Sequence, residues 1–181
     1  GRGAQGAVHL IEKEGALKVS KRVELGALRT KERQAAFREC AILRTLSHQH
    51  IVKYADSFEE ENCLVLVMEW CRHGDLSMVI AEKKRINDES ILKWMEQLSS
   101  ALEYLHSRRV LHRDLKSRNI FLTSEDDVKL GDFGIAKILD STMAQADSVV
   151  GTAHYLSPEI CQGKPYSYSS DLWALGCVLY D

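Results

Sequence analysis

The strongest constraint on this chain is a run of eight residues, His112-Arg113-Asp114-Leu115-Lys116-Ser117-Arg118-Asn119, answered thirteen residues later by Asp132-Phe133-Gly134. Two carboxylates, one carboxamide and one primary amine are thereby tied to a short stretch of backbone. Each is unremarkable alone, since an isolated Asp or Asn at a turn is usually a cap or a solvated group. Together they offer oxygen ligands for a hard cation, a positive charge for a phosphate, and a carboxylate to take a proton. Phosphoryl transfer needs those parts and little covalent chemistry from the protein.

Composition sets wide bounds around that run. A length of 181 residues suits one domain, or two small lobes sharing a cleft, and the 45% hydrophobic content is enough for a core. A net charge of -2 argues against a general nucleic-acid binder or a basic membrane-surface protein. Cys40, Cys63, Cys71, Cys161 and Cys177 are widely spaced with no C-x-x-C pair, so buried free thiols are expected. No apolar run approaches the ~20 residues of a membrane span. No signal peptide is visible, although the chain starts inside a motif; cytosol or nucleus is the expectation. There is no internal repeat, linker or low-complexity segment.

Periodicity supplies the elements. Gly1 to Val8 fits G-x-G-x-x-G-x-V, and glycines let backbone N–H groups approach phosphates closely. Dinucleotide-binding folds use similar spacing, but they need a strand before the glycines and a helix after them. Here Ala7 to Ile11 reads as a strand and Lys13-Glu14-Gly15 as a turn, which predicts a hairpin lid. The next strand, Ala16 to Leu25, carries Lys18 and Lys21, which point to opposite sides in a period of two. A helix follows over Thr30 to Leu46, with Ala36, Cys40, Leu43 and Leu46 inward; Glu39 shares that stripe and needs a partner there. Leu64 to Met68 fits a buried strand. Gly74-Asp75-Leu76 opens a helix with Asp75 as N-cap, a contact to ribose being the alternative role. Asp88 to Ser107 is a long helix whose apolar stripe is Ile91, Leu92, Met95, Leu98, Leu102 and Leu105. Ile120-Phe121-Leu122 is a short strand, and Ser170 to Tyr180 begins a largely apolar helix.

The pairing H-R-D-L-x-x-x-N then D-F-G is a protein-kinase signature, and it stands between the glycine lid and Ser157-Pro158-Glu159 in the expected order. The chain resembles a Ser/Thr protein kinase. The phrases HRDLKSRNIFL, KLGDFGIAKIL, YLSPEIC and SDLWALGCVLY look most like the NIMA-related kinases. The resemblance implies an α+β, bilobal protein-kinase-like fold: an N-lobe over 1–68, a hinge over 69–73 and a partial C-lobe over 74–181. A full domain continues with several more helices, so a C-terminally incomplete domain is expected.

The resemblance also implies ATP and Mg²⁺, and it assigns residues to them. Gly1, Gly3 and Gly6 would lie over the phosphates, with Val8 and Val19 at the adenine. Val19-Ser20-Lys21 resembles the strand whose lysine reaches the phosphates and pairs with a helix glutamate, which selects Lys21 with Glu39; Lys18 is the rival. Met68 resembles the residue guarding the back pocket, Glu69 and Cys71 fall in the hinge, and Phe121 resembles the adenine floor. Leu43, Tyr54, His112 and Phe133 would form one stacked column. Asp114 is the candidate base, and Lys116 is the cation for the transferring group. Lysine at that place resembles Ser/Thr rather than tyrosine kinases. Asn119 and Asp132 are the candidate Mg²⁺ ligands, since that cation takes oxygen ligands and binds through few carboxylates plus phosphates. Asp171 is a candidate holder of the catalytic-loop backbone.

Asp132 to Glu159 would be the activation segment, mobile in its small, polar middle from Asp140 to Ser148. Ser148 is the candidate regulatory phosphosite, with Ser141 and Thr142 as rivals; Arg113 and Lys137 are placed to hold a phosphate there. Thr152 would bond Asp114 and Lys116. Ala153 replaces a common proline, and Ser157 replaces the alanine of A-P-E, as is typical of the NIMA-related group. The expected partners are protein substrates with Ser or Thr acceptors, and an upstream kinase or a second copy acting in trans; neither nucleic acid nor membrane is expected. The expected location is cytoplasmic, with nuclear, centrosomal and ciliary sites as alternatives. Three other readings stay open: a nucleotide-binding scaffold without turnover, an inactive fragment of a kinase domain, and a small-molecule phosphotransferase of similar fold.

Overall fold

Short runs of apolar residues broken by two-residue turns dictate the first part of the chain. The structure, a computed structural model, describes residues 2–3, 6–26, 29–82, 85–123, 127–133 and 153–181. They fall into two units: the described residues of 1–47 and 52–70, and those of 48–51 and 71–181.

The first unit is an antiparallel sheet of β1 (Arg2–Gly3), β2 (Gly6–Lys13), β3 (Ala16–Glu24), β4 (Tyr54–Glu60) and β5 (Cys63–Glu69), in the order β1-β2-β3-β5-β4. Its tight turns are Glu14-Gly15 and Glu61-Asn62, all four with positive φ (57°, 73°, 48° and 61°). Two consecutive left-handed residues match the twist of a hairpin. β5 lies between β3 and β4, and Leu64 to Met68 are all buried, as a central strand requires. Helix α1 (Thr30–Thr45) packs on β4 and buries Ala36, Cys40 and Leu43, as its period predicts.

The second unit is mainly helical: α2 (Leu76–Ala81), α3 (Asp88–Ser107), α4 (Pro158–Cys161) and α5 (Tyr168–Tyr180), with a hairpin of β6 (Ile120–Leu122) and β7 (Val128–Leu130). The Asn87 side chain caps α3, accepting from the Ser90 amide at 2.7 Å. α3 packs on both β7 and α5, so it is the spine of the unit. The segment 48–51 joins it through a parallel bridge, Ile51 to Leu130, and a 2.9 Å bond from the Leu130 amide to the His50 carbonyl.

Three expectations need correction. The five cysteines are free thiols, but only Cys40 is buried; Cys63, Cys71 and Cys177 are half-buried and Cys161 is exposed. Leu92 is 71% exposed, because the buried stripe of α3 runs through Trp94, Leu98, Ala101, Leu102 and Leu105 and leaves Leu92 on the outer face. Asp75 stands at the N-cap position of α2 but makes no side-chain cap bond; its carboxylate accepts from the Ser77 hydroxyl instead.

Candidate active site

The buried face of α3 anchors the chain that leaves it. Beyond Ser107 the backbone turns at Arg109 (φ 59°) and enters the eight-residue run. His112 is fully buried (0% exposed). Its backbone N–H donates to Asp171 Oδ2 at 3.0 Å, its Nδ1 accepts from the Asp114 amide at 3.3 Å, and its Nε2 lies 3.0 Å from the Gly131 carbonyl. Nδ1 faces an N–H and Nε2 faces an oxygen, so the neutral Nε2–H tautomer satisfies both. Burial holds the imidazole below its usual pKa, against the opposing pull of Asp171, the Gly131 carbonyl, Asp114 and Asp132. The ring stacks on Phe133 at 4.8 Å between centroids.

Asp114 is 2% exposed, and two neighbours in the run hold its carboxylate. Lys116 Nζ donates to Asp114 Oδ2 at 2.7 Å, and Asn119 Nδ2 donates to the same oxygen at 2.9 Å. The extended backbone at Lys116 and the single 3₁₀ turn Ser117–Asn119 bring both groups back to Asp114. Asn119 Nδ2 also donates to the Asp114 carbonyl at 2.6 Å and approaches the Asp132 carbonyl at 3.5 Å. All three neighbours are acceptors, which fixes the amide orientation and turns Asn119 Oδ1 the other way.

The run is pinned from outside by Asp171 on α5, which is 0% exposed. It accepts from four donors: the His112 and Arg113 amides at 3.0 and 3.1 Å, His106 Nε2 at 2.8 Å and Tyr166 Oη at 2.6 Å. Burial and the adjacent carboxylate push the Tyr166 hydroxyl far up, so it remains a proton donor. Arg113 and Asp132 both hold left-handed backbone, φ 67° and 56°, a conformation that non-glycine residues adopt at a cost.

In the sheet, register decides which side chains share a face. Val8, Lys21 and Leu66 stand opposite one another across β2, β3 and β5, and so do Leu10, Val19 and Met68 two residues along. Val8, Val19, Lys21 and Met68 therefore lie on one face, with Lys21 only 6% exposed. Lys18 is on the other face, 3.6 Å from Glu14. Glu39 is half-buried on α1. Gly3 pairs with Gly6 in the β1–β2 ladder. The Glu69 amide donates to the Lys53 carbonyl at 2.9 Å. Cys71 and Phe121 are half-buried members of the second unit, and Phe121 bridges to Asp75. Leu43 and Tyr54 are buried in the first unit. Gly1, Ser148, Ser141, Thr142, Lys137 and Thr152 lie outside the described residues, and so does the side chain of Ala153.

Sequence reasoning found Asp171 but missed three residues around the run: His106, Tyr166 and Tyr155. His106 follows Leu102 by four on α3, at the edge of the buried stripe, and that offset was the available signal. Tyr166 and Tyr155 gave none, because an aromatic in a loop is ordinary.

The oxygen set fits a hard divalent cation. The Asn119 amide is oriented with its oxygen away from Asp114, its nitrogen lies 3.5 Å from the Asp132 backbone carbonyl, and a carboxamide oxygen with a carboxylate from Asp132 is the donor type such a cation takes. Among the described residues no group of three or more His, Cys, Asp or Glu is placed to hold a metal ion.

The protein kinase domain family matches residues 1–181, the whole length. The chain belongs to that family. Among curated proteins, this kinase chain is 46% identical over 185 residues to serine/threonine-protein kinase Nek1 of Mus musculus, matching 100% of the chain and 15% of that protein. It is 41% identical over 186 residues to serine/threonine-protein kinase Nek5 of Homo sapiens, with 100% and 26% covered. It is 43% identical over 185 residues to serine/threonine-protein kinase Nek9 of Xenopus laevis, with 100% and 20% covered. The chain thus spans between 15% and 26% of the length of these relatives. All are Nek proteins, in agreement with the NIMA-related resemblance. Protein kinases use ATP and Mg²⁺ in general, and the carboxylate, amide and lysine geometry around Asp114 is compatible with that use.

Proposed function

We propose that this chain is the catalytic part of a NIMA-related Ser/Thr protein kinase, transferring the γ-phosphate of ATP to serine and threonine hydroxyls of protein substrates. The observation that carries the reading is the buried Asp114 carboxylate, held by Lys116 at 2.7 Å and Asn119 at 2.9 Å within one turn. Asp114 orients the acceptor hydroxyl and takes its proton. Lys116 places its charge where negative charge builds up on the transferring group. Asn119 Oδ1 and the Asp132 carboxylate would hold Mg²⁺, which would supply positive charge against the phosphate oxygens. On the sheet, Lys21 steadies the phosphates with Glu39 behind it, Val8, Val19 and Met68 supply an apolar face for adenine, and Gly1, Gly3 and Gly6 let the backbone approach the phosphates. Glu69 and Cys71 bind the adenine edge through the backbone, and Phe121 packs beneath it. Phosphorylation of Ser148, by an upstream kinase or by a second copy, raises the activity through Arg113 and Lys137.

The test is transfer of labelled γ-phosphate from Mg-ATP to a generic protein substrate by the full-length protein. Wild type is expected to label the substrate, Asp132→Ala to abolish labelling, and Ser148→Ala to lower it. A folded protein that binds ATP and labels nothing, even after treatment with an activating kinase, overturns the reading.

A further inference from the structure

A second polar chain reaches the turn that carries Lys116 and Asn119, and the phosphate-handling groups do not belong to it. Ser117 opens that 3₁₀ turn and is nearly buried. Its hydroxyl lies 3.0 Å from the Tyr155 hydroxyl. Tyr155 sits in another 3₁₀ turn, Ala153–Tyr155, which packs on α5. The Tyr155 hydroxyl in turn donates to Asp181 Oδ2 at the end of α5.

The direction of these bonds follows from their chemistry. A carboxylate only accepts, so Tyr155 spends its one proton on Asp181. The Tyr155 oxygen is then the acceptor, and Ser117 must be the donor. A donor chain ending on a charge is polarised along its length, which strengthens each link. Ser117 thereby loses its rotational freedom, and with it the start of the turn is fixed to α5. The neighbours of Ser117 are the residues that need fixing: Lys116 before it and Asn119 at the turn's end both hold Asp114 Oδ2. Asp171 pins the run at His112 and Arg113, and the Ser117 contact pins the far end.

We infer that Ser117, Tyr155 and Asp181 form a clasp of positioning residues that holds Lys116 and Asn119 on Asp114, so that its loss lowers turnover while ATP binding is kept. The inference rests on the kinase reading for its kinetic part only. Its structural part is that the clasp restrains the Asn119 backbone amide, which donates to the Lys116 carbonyl at 2.9 Å.

The experiment compares full-length wild type with Ser117→Ala, Tyr155→Phe, the double variant and Ser117→Thr. Turnover, KM for ATP, thermal midpoint and amide hydrogen exchange over residues 117–119 are measured for each. Ser117→Ala and Tyr155→Phe are each expected to lower kcat about five- to tenfold with KM for ATP within about twofold, the effect of one hydrogen bond that positions a reacting group. The double variant is expected to be no worse than the poorer single one, because both remove the same bond. Ser117→Thr keeps the hydroxyl and is expected to recover most of the turnover. Exchange at Asn119 is expected to quicken about tenfold in both single variants. Unchanged kcat, multiplicative losses in the double variant, or a loss carried by KM overturns the clasp. If wild type itself transfers no phosphate, the kinase reading fails, and the exchange measurement decides the clasp: faster exchange upholds it, unchanged exchange overturns it.

Discussion

Replacing Asp171 with asparagine is the most searching perturbation of this fold, because it changes one atom in a buried site that accepts four hydrogen bonds. Oδ1 takes the Arg113 amide at 3.1 Å and Tyr166 Oη at 2.6 Å; Oδ2 takes the His112 amide at 3.0 Å and His106 Nε2 at 2.8 Å. An amide puts NH₂ at one of those two places. A tyrosine hydroxyl can reverse and a histidine can change tautomer, but a backbone N–H cannot turn round. Whichever way the new carboxamide is oriented, one buried backbone donor, on Arg113 or on His112, faces another donor. An orphaned buried donor costs about 1–3 kcal/mol, and the two bonds that survive weaken by roughly 1 kcal/mol each on losing a charged acceptor. Removing a buried charge works the other way, but four donors already offset most of that desolvation. The net expectation is a loss of about 2–4 kcal/mol. At a urea slope of about 2 kcal/mol per molar, the unfolding midpoint falls by ~1–2 M. Fluorescence of the buried Trp94 reports it. Tyr166→Phe is the calibration: it removes one donor and orphans no backbone group, so it should cost about 1 kcal/mol. A midpoint shift below ~0.3 M for Asp171→Asn, or an equal loss for Tyr166→Phe, would refute the reasoning.

Three further outcomes follow from the same geometry. Asp114→Asn in the full-length protein should lower phosphate transfer by about 10²–10⁴ with ATP affinity within threefold; retained transfer would show that Asp114 is no base. His112 is held neutral by burial, so the unfolded chain binds a proton that the folded one does not. Stability should therefore fall as pH drops below the ordinary histidine value of about 6.5, and nitrogen-edited NMR should show an Nε2–H ring that does not titrate near that value; a normal titration curve for His112 contradicts it. Cys40 is buried and its thiol is pushed up to about 12 by burial, so a disulfide reagent at pH 8 should leave it unmodified while exposed Cys161 reacts within minutes; equal rates would mean that α1 opens readily.

Elements built from local periodicity were legible. Helix α3 runs from Asp88 to Ser107 as its apolar spacing predicts, and the opposite faces of Lys18 and Lys21 follow from a period of two. What escaped depended on contacts that periodicity does not encode. His106 looks like an ordinary polar residue at the edge of α3, and only the approach of α5 makes it a donor to a buried carboxylate. Tyr166 donates to the same carboxylate from the loop just before α5, a local contact that no spacing rule marks. Asp75 failed as a side-chain cap for a local reason: Ser77, two residues on, offers a hydroxyl that competes with the helix amides for the same oxygen. Leu92 failed because a stripe drawn through every apolar residue is wider than the face that α3 buries.

A buried carboxylate at Asp171 is a costly choice for anchoring a loop, and the backbone of that loop explains it. Arg113 takes left-handed φ, 67°, without being glycine, at about 1–2 kcal/mol. The kink matters because it lets Asp114 N–H reach His112 Nδ1 while Asp114's own carboxylate meets Lys116 and Asn119. A single neutral acceptor would not hold it, since one such bond nets only about 0.5–1.5 kcal/mol, whereas bonds to a charged group net about 1.5–3. Asp171 provides two oxygens for two consecutive amides, His112 and Arg113, and so fixes both sides of the peptide between them. Polar burial here specifies one backbone path that an apolar anchor of equal volume could not distinguish from its neighbours. The same logic holds thirteen residues past Asn119, where Asp132 is again left-handed (φ 56°) and the preceding Gly131 amide is tied to the Asn119 carbonyl at 2.9 Å. The two strained residues flank one hydrogen-bonded core, so the positions of Asp114, Asn119 and Asp132 are set by a common network rather than by three separate loops.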